Sequence, residues 1–284
     1  MDLSRIDYPW EKSGFPTGFK TQRRNYKTGE LETVDIFLNF SFSLIDSLKR
    51  CERYAAYASV SRKISTDNIY TKRGATFHAM VEAVLGKKAI DLKDPELIKD
   101  FEVNGEVYKN ALVAALRQGF IPLTRENTVV EFQFKFPLFD HEGLTVYFQG
   151  KIDFMYINPV NGLLHVVDFK TKNRSDRYMF TDSQLKQSDQ LMGYVYALYK
   201  IGRLKRTDDV VIEMTYFILE GGTASNACIK VSVEEAITHW NTKMQPYVDM
   251  LVGYLKSNQP VEKYARNLKS CDSFGGCPAA AFCR

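Results

Sequence analysis

The sequence predicts an α/β fold, a mixed central β-sheet flanked by helices, on three observations. Apolar residues recur at helical spacing between about residues 43 and 118, the period switches to two between Val129 and Thr171, and helical and strand patterns then alternate to the C-terminus. A chain of 284 residues that is 45% hydrophobic, with 19 Phe and 16 Tyr, fills a sizeable core and is neither disordered nor fibrous. Its 38 basic and 34 acidic residues leave +4, short of the charge that by itself marks a nucleic-acid module. No run approaches the roughly 20 apolar residues of a membrane helix, and Met1-Asp2-Leu3-Ser4-Arg5 opens no signal core. The expected location is therefore cytoplasmic, with no membrane and with reduced cysteines.

Residues 1–37 are polar, carry Lys20, Arg23, Arg24 and Lys27, and show no usable period, which predicts an extension. The rest, 38–284, shows no repeat or linker and reads as one domain. Leu44, Leu48, Cys51, Ala55 and Ala58 then predict a helix of about 15 residues behind a Ser43…Asp46 start signal. A second helix is expected after Gly74, with Phe77, Val81 and Leu85 on one face, His78 and Glu82 on another, and Gly86 as its stop. Residues 94–118 predict a third. Val130, Phe132, Phe134 and Phe136 alternate with Val129, Glu131, Gln133 and Lys135, as in a strand covered on one face, and Glu131, like Glu82, is read as a surface charge with an outer ligand as the alternative. Strands over Thr145 to Ile157 and Leu163 to Thr171 flank the turn sequence Pro159-Val160-Asn161-Gly162. A helix around Ser183 to Lys200, strands near Val210 to Leu219 and Ala227 to Val233, and a helix from Glu234 to about Lys256 complete the order.

If residues 159–162 form a four-residue loop, facing residues have numbers summing to 321. Asp153 then faces Asp168 and Lys151 faces Lys170, with facing Cβ atoms about 5 Å apart. Two carboxylates so placed repel and raise one pKa unless a cation lies between them. The opposite face, Ile152, Phe154, Val167 and Phe169, is apolar and can meet helices. The plainer alternative is a solvated hairpin whose aspartates pair diagonally with Lys170 and Lys151. Gln190 and Tyr194 are four apart and share a helical face, extended by Lys186, that either touches substrate or braces other residues. Lys170, Lys172, Arg174 and Arg177 could track phosphates, and Tyr178 and Phe180 could stack on bases, although such residues also occur as solvated charge and core.

Gly150-Lys151-Ile152-Asp153, Asp168-Phe169-Lys170-Thr171-Lys172 and Gln190-Leu191-Met192-Gly193-Tyr194, preceded by Arg73-Gly74-Ala75-Thr76-Phe77-His78, resemble the RecB-like branch of the PD-(D/E)xK nuclease superfamily. The resemblance runs from about residue 41 to the C-terminus, with Ile152 where the superfamily's proline stands. It implies a restriction-endonuclease-like core and a DNA nuclease, an exonuclease or a single-strand or end-processing enzyme, in recombination, repair or DNA processing. It further implies Mg²⁺ or Mn²⁺ held by His78, Asp153, Asp168 and the Phe169 carbonyl, with Asp153, Asp168 and Lys170 catalytic, Lys170 orienting water, and Gln190, Tyr194 and Lys172 on the substrate. DNA is the implied partner, and a helicase, recombinase or other processing protein a compatible one. The alternatives are a non-catalytic DNA-end-binding or assembly subunit and a small-molecule metallohydrolase.

Three of the five cysteines, Cys271, Cys277 and Cys283, fall within 13 residues in a loop-like context of Gly275, Gly276 and Pro278. Tetrahedral zinc or a cubane cluster needs a fourth thiolate, Cys51 or Cys228. The arrangement is similar to that of the CRISPR-adaptation and AddB-type nucleases, whose [4Fe-4S] cluster takes one cysteine upstream of the core. Ser43-Leu44-Ile45…Cys51-Glu52-Arg53-Tyr54 resembles that element, which implies an iron-sulfur clasp of Cys51, Cys271, Cys277 and Cys283. The spacing Cys-x5-Cys-x5-Cys departs from the usual Cys-x2-Cys-x5-Cys and keeps structural Zn²⁺ as the alternative.

Overall fold

A computed structural model describes residues 14–24, 28–61, 64, 69–122, 127–174, 179–271 and 276–283. Arg177 and Tyr178 lie outside them. Two compact units make up the chain, one from residues 67–134 and 151–237 and the other from 8–66, 135–150 and 238–284. Nothing local in the sequence signals this division, because each unit draws on separated segments.

A five-stranded sheet has the order β3-β4-β5-β6-β7, with β3 (Thr128–His141), β4 (Leu144–Ile157), β5 (Leu164–Lys172), β6 (Asp209–Ile218) and β7 (Thr223–Ser232); the first unit takes β3 up to Phe134, β4 from Lys151 and all of β5, β6 and β7. β4–β5 and β6–β7 are antiparallel while β5–β6 is parallel, so the sheet is mixed as expected. The β4–β5 ladder pairs Phe154 with Val167, Met155 with Val166, Tyr156 with His165 and Ile157 with Leu164. Each pair obeys the register expected from the four-residue turn. That turn closes with Asn158 N–H donating to the Leu163 carbonyl at 2.9 Å, and Gly162 takes the left-handed φ of 68° that its last position demands.

Helices α3 (Ile69–Gly86) and α4 (Pro95–Arg117) pack on the sheet through Phe77, Met80, Val81, Tyr108, Ala111 and Leu112, against Phe154, Val167, Phe169 and Phe217. α3 begins five residues before Gly74, so that glycine is helical and does not start the helix. α4 starts where Asp94 accepts a hydrogen bond from Glu96 N–H and Pro95 occupies the first turn, both standard start chemistry. The helix expected from Ser183 is divided. Asp182–Gln187 forms a 3₁₀ turn, Ser188 caps the break by accepting from Leu191 N–H, and α5 (Asp189–Lys200) follows, burying Leu191, Met192, Tyr194, Val195 and Leu198.

In the second unit, most of the expected extension 1–37 that is described belongs to an antiparallel hairpin of β1 (Phe15–Arg24) and β2 (Leu31–Leu38). The hydroxyl of buried Thr17 donates to the Ile36 carbonyl at 2.7 Å, and Ile36 and Leu38 are buried. α1 (Phe42–Arg50) is capped by Ser41, two residues before the expected start. It ends at Cys51, whose extended backbone (φ −167°, ψ 114°) breaks the predicted 15-residue helix before α2 (Glu52–Ala55) and a π-helical turn at Ala56–Val60. A short α6 (Val233–His239) lies at the junction of the two units in the chain, and a π-helical turn at Trp240–Met244 leads into α7 (Gln245–Lys256). The core of the second unit holds Phe136 stacked on Phe148 at 5.4 Å, with Trp240 edge-on to both. Among the described residues no helix is long and apolar enough to cross a membrane.

Candidate metal and active site

Four elements of the first unit converge on one acidic centre. α3 presents His78, whose Nδ1 lies 3.5 Å from Asp153 Oδ1. β4 supplies Asp153, and its Oδ2 accepts the Phe169 N–H at 2.7 Å, so the side chain stands where the strand ladder would continue past Phe154. β3 supplies Glu131, expected as a surface charge. Glu131 has φ 56°, a left-handed kink that turns it inward beside buried Phe132, and it is only 5% exposed. One ligand atom each from His78, Glu131 and Asp153 lies within 4.8 Å of the other two, the single such group among the described residues.

β5 supplies Asp168 and Lys170. Asp168 is fully buried. Its Oδ1 accepts no hydrogen bond among the described residues, and its Oδ2 has the Lys170 ammonium at 2.8 Å. Lys170 Nζ also donates to Gln190 Oε1 at 2.9 Å, and Gln190 Nε2 donates to Tyr194 OH at 2.6 Å. The Gln190/Tyr194 face therefore reaches the centre through Lys170, and Tyr194 itself is buried. Lys151, expected opposite Lys170, pairs instead with Glu131 on the other neighbouring strand. Lys186 belongs to the 3₁₀ turn and pairs with Glu235 at 2.6 Å, so it does not extend that face. Lys172 lies 6.0 Å from the centre of the Tyr216 ring, Arg174 pairs with Glu220, and Phe180 N–H donates to Tyr216 OH.

The electrostatics of the centre favour neutral groups. Burial, then the neighbouring Asp168 charge, pushes Asp153 up to about 7. Burial also raises Glu131 against the opposing pull of Lys151, and burial lowers His78 against Glu131 and Asp168. Neutral imidazole is the form that coordinates a cation directly, and a protonated carboxyl group gives up its proton when a hard cation binds. The fit to such a cation rests on Asp168, because a fully buried carboxylate oxygen without a donor is costly unless a cation faces it.

The match to known families decides what this centre belongs to. The sequence matches the PD-(D/E)XK nuclease superfamily over residues 39–284. The chain belongs to this superfamily. PD-(D/E)XK proteins are mostly metal-dependent nucleases, and a mixed sheet with helices on it fits their core. No curated protein matches the sequence. The solved structure of SSO0001 is similar at 13% identity, over 85% of this chain and 94% of that one, with a TM-score of 0.35, a likeness too low to carry an argument.

The cysteines behave differently from the carboxylates. Four thiolates on one zinc ion at about 2.3 Å stand under 4 Å apart, and no described cysteines form such a single-ion group. The close clustering expected from their spacing in sequence is thus not found. The tail nevertheless reaches the helix break at Cys51. Asn267 Nδ2 and Ser270 Oγ both donate to the Arg50 carbonyl at 2.9 Å, and Arg53 N–H donates to the Ala265 carbonyl. Burial, followed by Cys51 and then Cys277 and Cys271, raises the Cys283 thiol. Cys228 lies on β7, in the first unit, and donates its N–H to Asp182.

A second buried cluster gave no sequence signal. Glu213 on β6 contacts His165 Nδ1, accepts Tyr156 OH at 2.8 Å and accepts Asn226 Nδ2 at 3.0 Å, while Thr215 Oγ1 donates to Asn226 Oδ1 at 3.1 Å. Its members come from four strands, so no local spacing announces them.

Proposed function

We propose that this chain is a divalent-metal-dependent deoxyribonuclease that acts on DNA ends or single strands. The observation that carries the reading is the convergence of His78, Glu131 and Asp153 beside a fully buried Asp168 with an unpartnered oxygen, next to Lys170. Bound there, Mg²⁺ or Mn²⁺ supplies Lewis acidity toward a phosphoryl oxygen and an acidified water. His78, Asp153 and Asp168, with Glu131 added to the expected set, would hold it together with the Phe169 carbonyl. Lys170, fixed between Asp168 and Gln190, orients the attacking water and offsets charge that develops on the phosphate. Gln190 positions Lys170, and buried Tyr194 positions Gln190; Lys172 contributes charge toward the substrate backbone. Incubation of the pure protein and Mn²⁺ with labelled linear, circular, single- and double-stranded DNA should consume linear and single-stranded substrates and spare closed circles. Binding without cleavage under any metal would instead mark an end-binding subunit, the reading to which the intact Lys170 and carboxylates run counter.

We also propose that Cys51, Cys271, Cys277 and Cys283 hold a [4Fe-4S] cluster that ties the tail to the α1–α2 break. Supporting this are the tail's hydrogen bonds to Arg50 and Arg53, which bring the segment carrying Cys271 to the helix break at Cys51. Anaerobically purified protein should be brown and contain iron and sulfide. Stoichiometric zinc without iron would overturn this assignment.

A further inference from the structure

Beside the acidic centre, in the same unit, a cleft of about 430 Å³ is lined by Arg73, Asn104, Val107, Asn173, Arg174 and Leu219, with Glu220 at its edge. A second cleft, of about 460 Å³, shares Val107 and Leu219 and continues to Asn110, Arg117 and Gly222. Two hollows thus share an apolar saddle of Val107 and Leu219, with arginines at both ends. The near end adjoins the centre along two elements. Arg73 precedes His78 by five residues on α3, a rise of about 7.5 Å, and Arg174 follows Lys170 by four residues past the end of β5.

Arg73 has donors to spare. Its Nε is buried and makes no hydrogen bond among the described residues, and its nearest acid, Asp100 Oδ1, is 3.9 Å away. Asp100 is already occupied, accepting Asn104 Nδ2 at 2.8 Å and Tyr108 OH at 2.7 Å. Among the described residues Arg174 is held by the exposed Glu220 pair at 2.8 Å, which a phosphate can displace. A guanidinium forks onto phosphate oxygens, and an apolar saddle suits the face of a base whatever its identity.

Resting on the nuclease reading above, we infer that this double cleft is the track for the single-stranded DNA flanking the scissile phosphate. Successive phosphates lie on Arg73 with Arg174 and on Arg117, and a base lies on the Val107–Leu219 saddle. The ligand class follows from the alternation of cation and apolar surface, and the track selects by backbone and not by sequence.

Binding of a fluorescein-labelled oligothymidylate to the full chain, followed by anisotropy in EDTA so that nothing is cleaved, tests the track. Arg73→Gln and Arg117→Gln should each weaken binding several-fold and lower the slope of log K against log salt by about one. Glu220→Gln, which frees Arg174, should tighten binding, a gain that damage to the fold does not produce. Val107→Asp should weaken it. Wild-type affinity and slope in both arginine variants, or tighter binding of blunt duplex than of the oligothymidylate, would overturn the proposal. Oligothymidylate binding with these variant effects but no cleavage in Mn²⁺ would retain the track and overturn the nuclease reading.

Discussion

Glu213 and Asp168 are both carboxylates that water does not reach, on adjacent strands of one sheet, yet their oxygens meet different company. Glu213 faces His165, Tyr156 OH and Asn226 Nδ2, and every one of these is a donor or can become one. Among the described residues Asp168 faces a single ammonium and its Oδ1 accepts no hydrogen bond, while Asp153 and Glu131 add like charge nearby. A buried carboxylate with its full set of donors holds strands together. One left short by about 1–3 kcal/mol per unmet atom is a place for something the chain does not itself supply. Residue type and burial therefore do not distinguish these two acids; the count of donors does.

The sharpest way to break this contrast is to remove one cation from the open cluster and one anion from the closed one. Lys170→Ala should lower single-turnover cleavage by about 10²-fold or more while metal and DNA binding persist. Glu213→Ala should cost about 3–5 kcal/mol of stability, read by denaturant melts, by stranding His165 and Tyr156, yet leave metal-dependent cleavage by the folded fraction intact. Lys170→Ala with wild-type cleavage would place the chemistry elsewhere.

Opposite signs are expected next. Asp153→Asn should weaken metal binding by roughly 10–100-fold but raise the stability of the metal-free protein above pH 7, by up to about 4 kcal/mol, whereas Glu213→Gln should lower stability with or without metal. The pH profile follows from the same shift. The Asp153 pKa is about 7 in the folded protein and 3.8 in its ordinary state, so the fold binds this proton more tightly than the unfolded chain does. That stabilisation is complete below about pH 4 and is lost as pH rises through about 7. The Tm of metal-free protein should fall across this window, Mn²⁺ should reverse the fall above it, and Asp153→Asn should flatten it.

The smallest effect concerns Lys151. Its ammonium compensates buried Glu131, so Lys151→Ala should reduce metal affinity at pH 7 by a few-fold, measured by titration, with cleavage largely kept at saturating metal. A loss as large as that of Lys170→Ala would mean that the two lysines share one role.

How much of this was legible depends on how local each determinant is. The turn at residues 159–162 specifies its own geometry, so it set the β4–β5 register and brought Asp153 and Asp168 onto adjoining strands. The covered face of Phe132, Phe134 and Phe136 followed from a period of two. Glu131 did not, because one left-handed residue reverses its side and glutamate carries no preference for that conformation. The β1–β2 hairpin was hidden by its polar, basic composition, its apolar contacts being confined to a few residues such as Phe15, Phe19 and Ile36. At Cys51 the apolar stripe continues across a backbone break, so helical periodicity persisted where the helix did not. The Glu213 cluster and the Arg73 cleft are assembled from distant strands and helices, which no window along the chain can contain.

The hydrogen bonds between the α1–α2 break and the tail also set a timetable. Residues 50–53 and their partners at 264–270 are separated by 211 to 220 positions. At about 5–20 residues per second of synthesis, the first half of this contact waits about 10–40 s for the second. During that interval Phe42, Leu44, Ile45 and Leu48, all buried in the finished protein, lack the α7 surface that α1 contacts. The second unit can therefore close only after its last segment has left the ribosome. Until then, the nascent chain must be kept from associating through α1 with other chains.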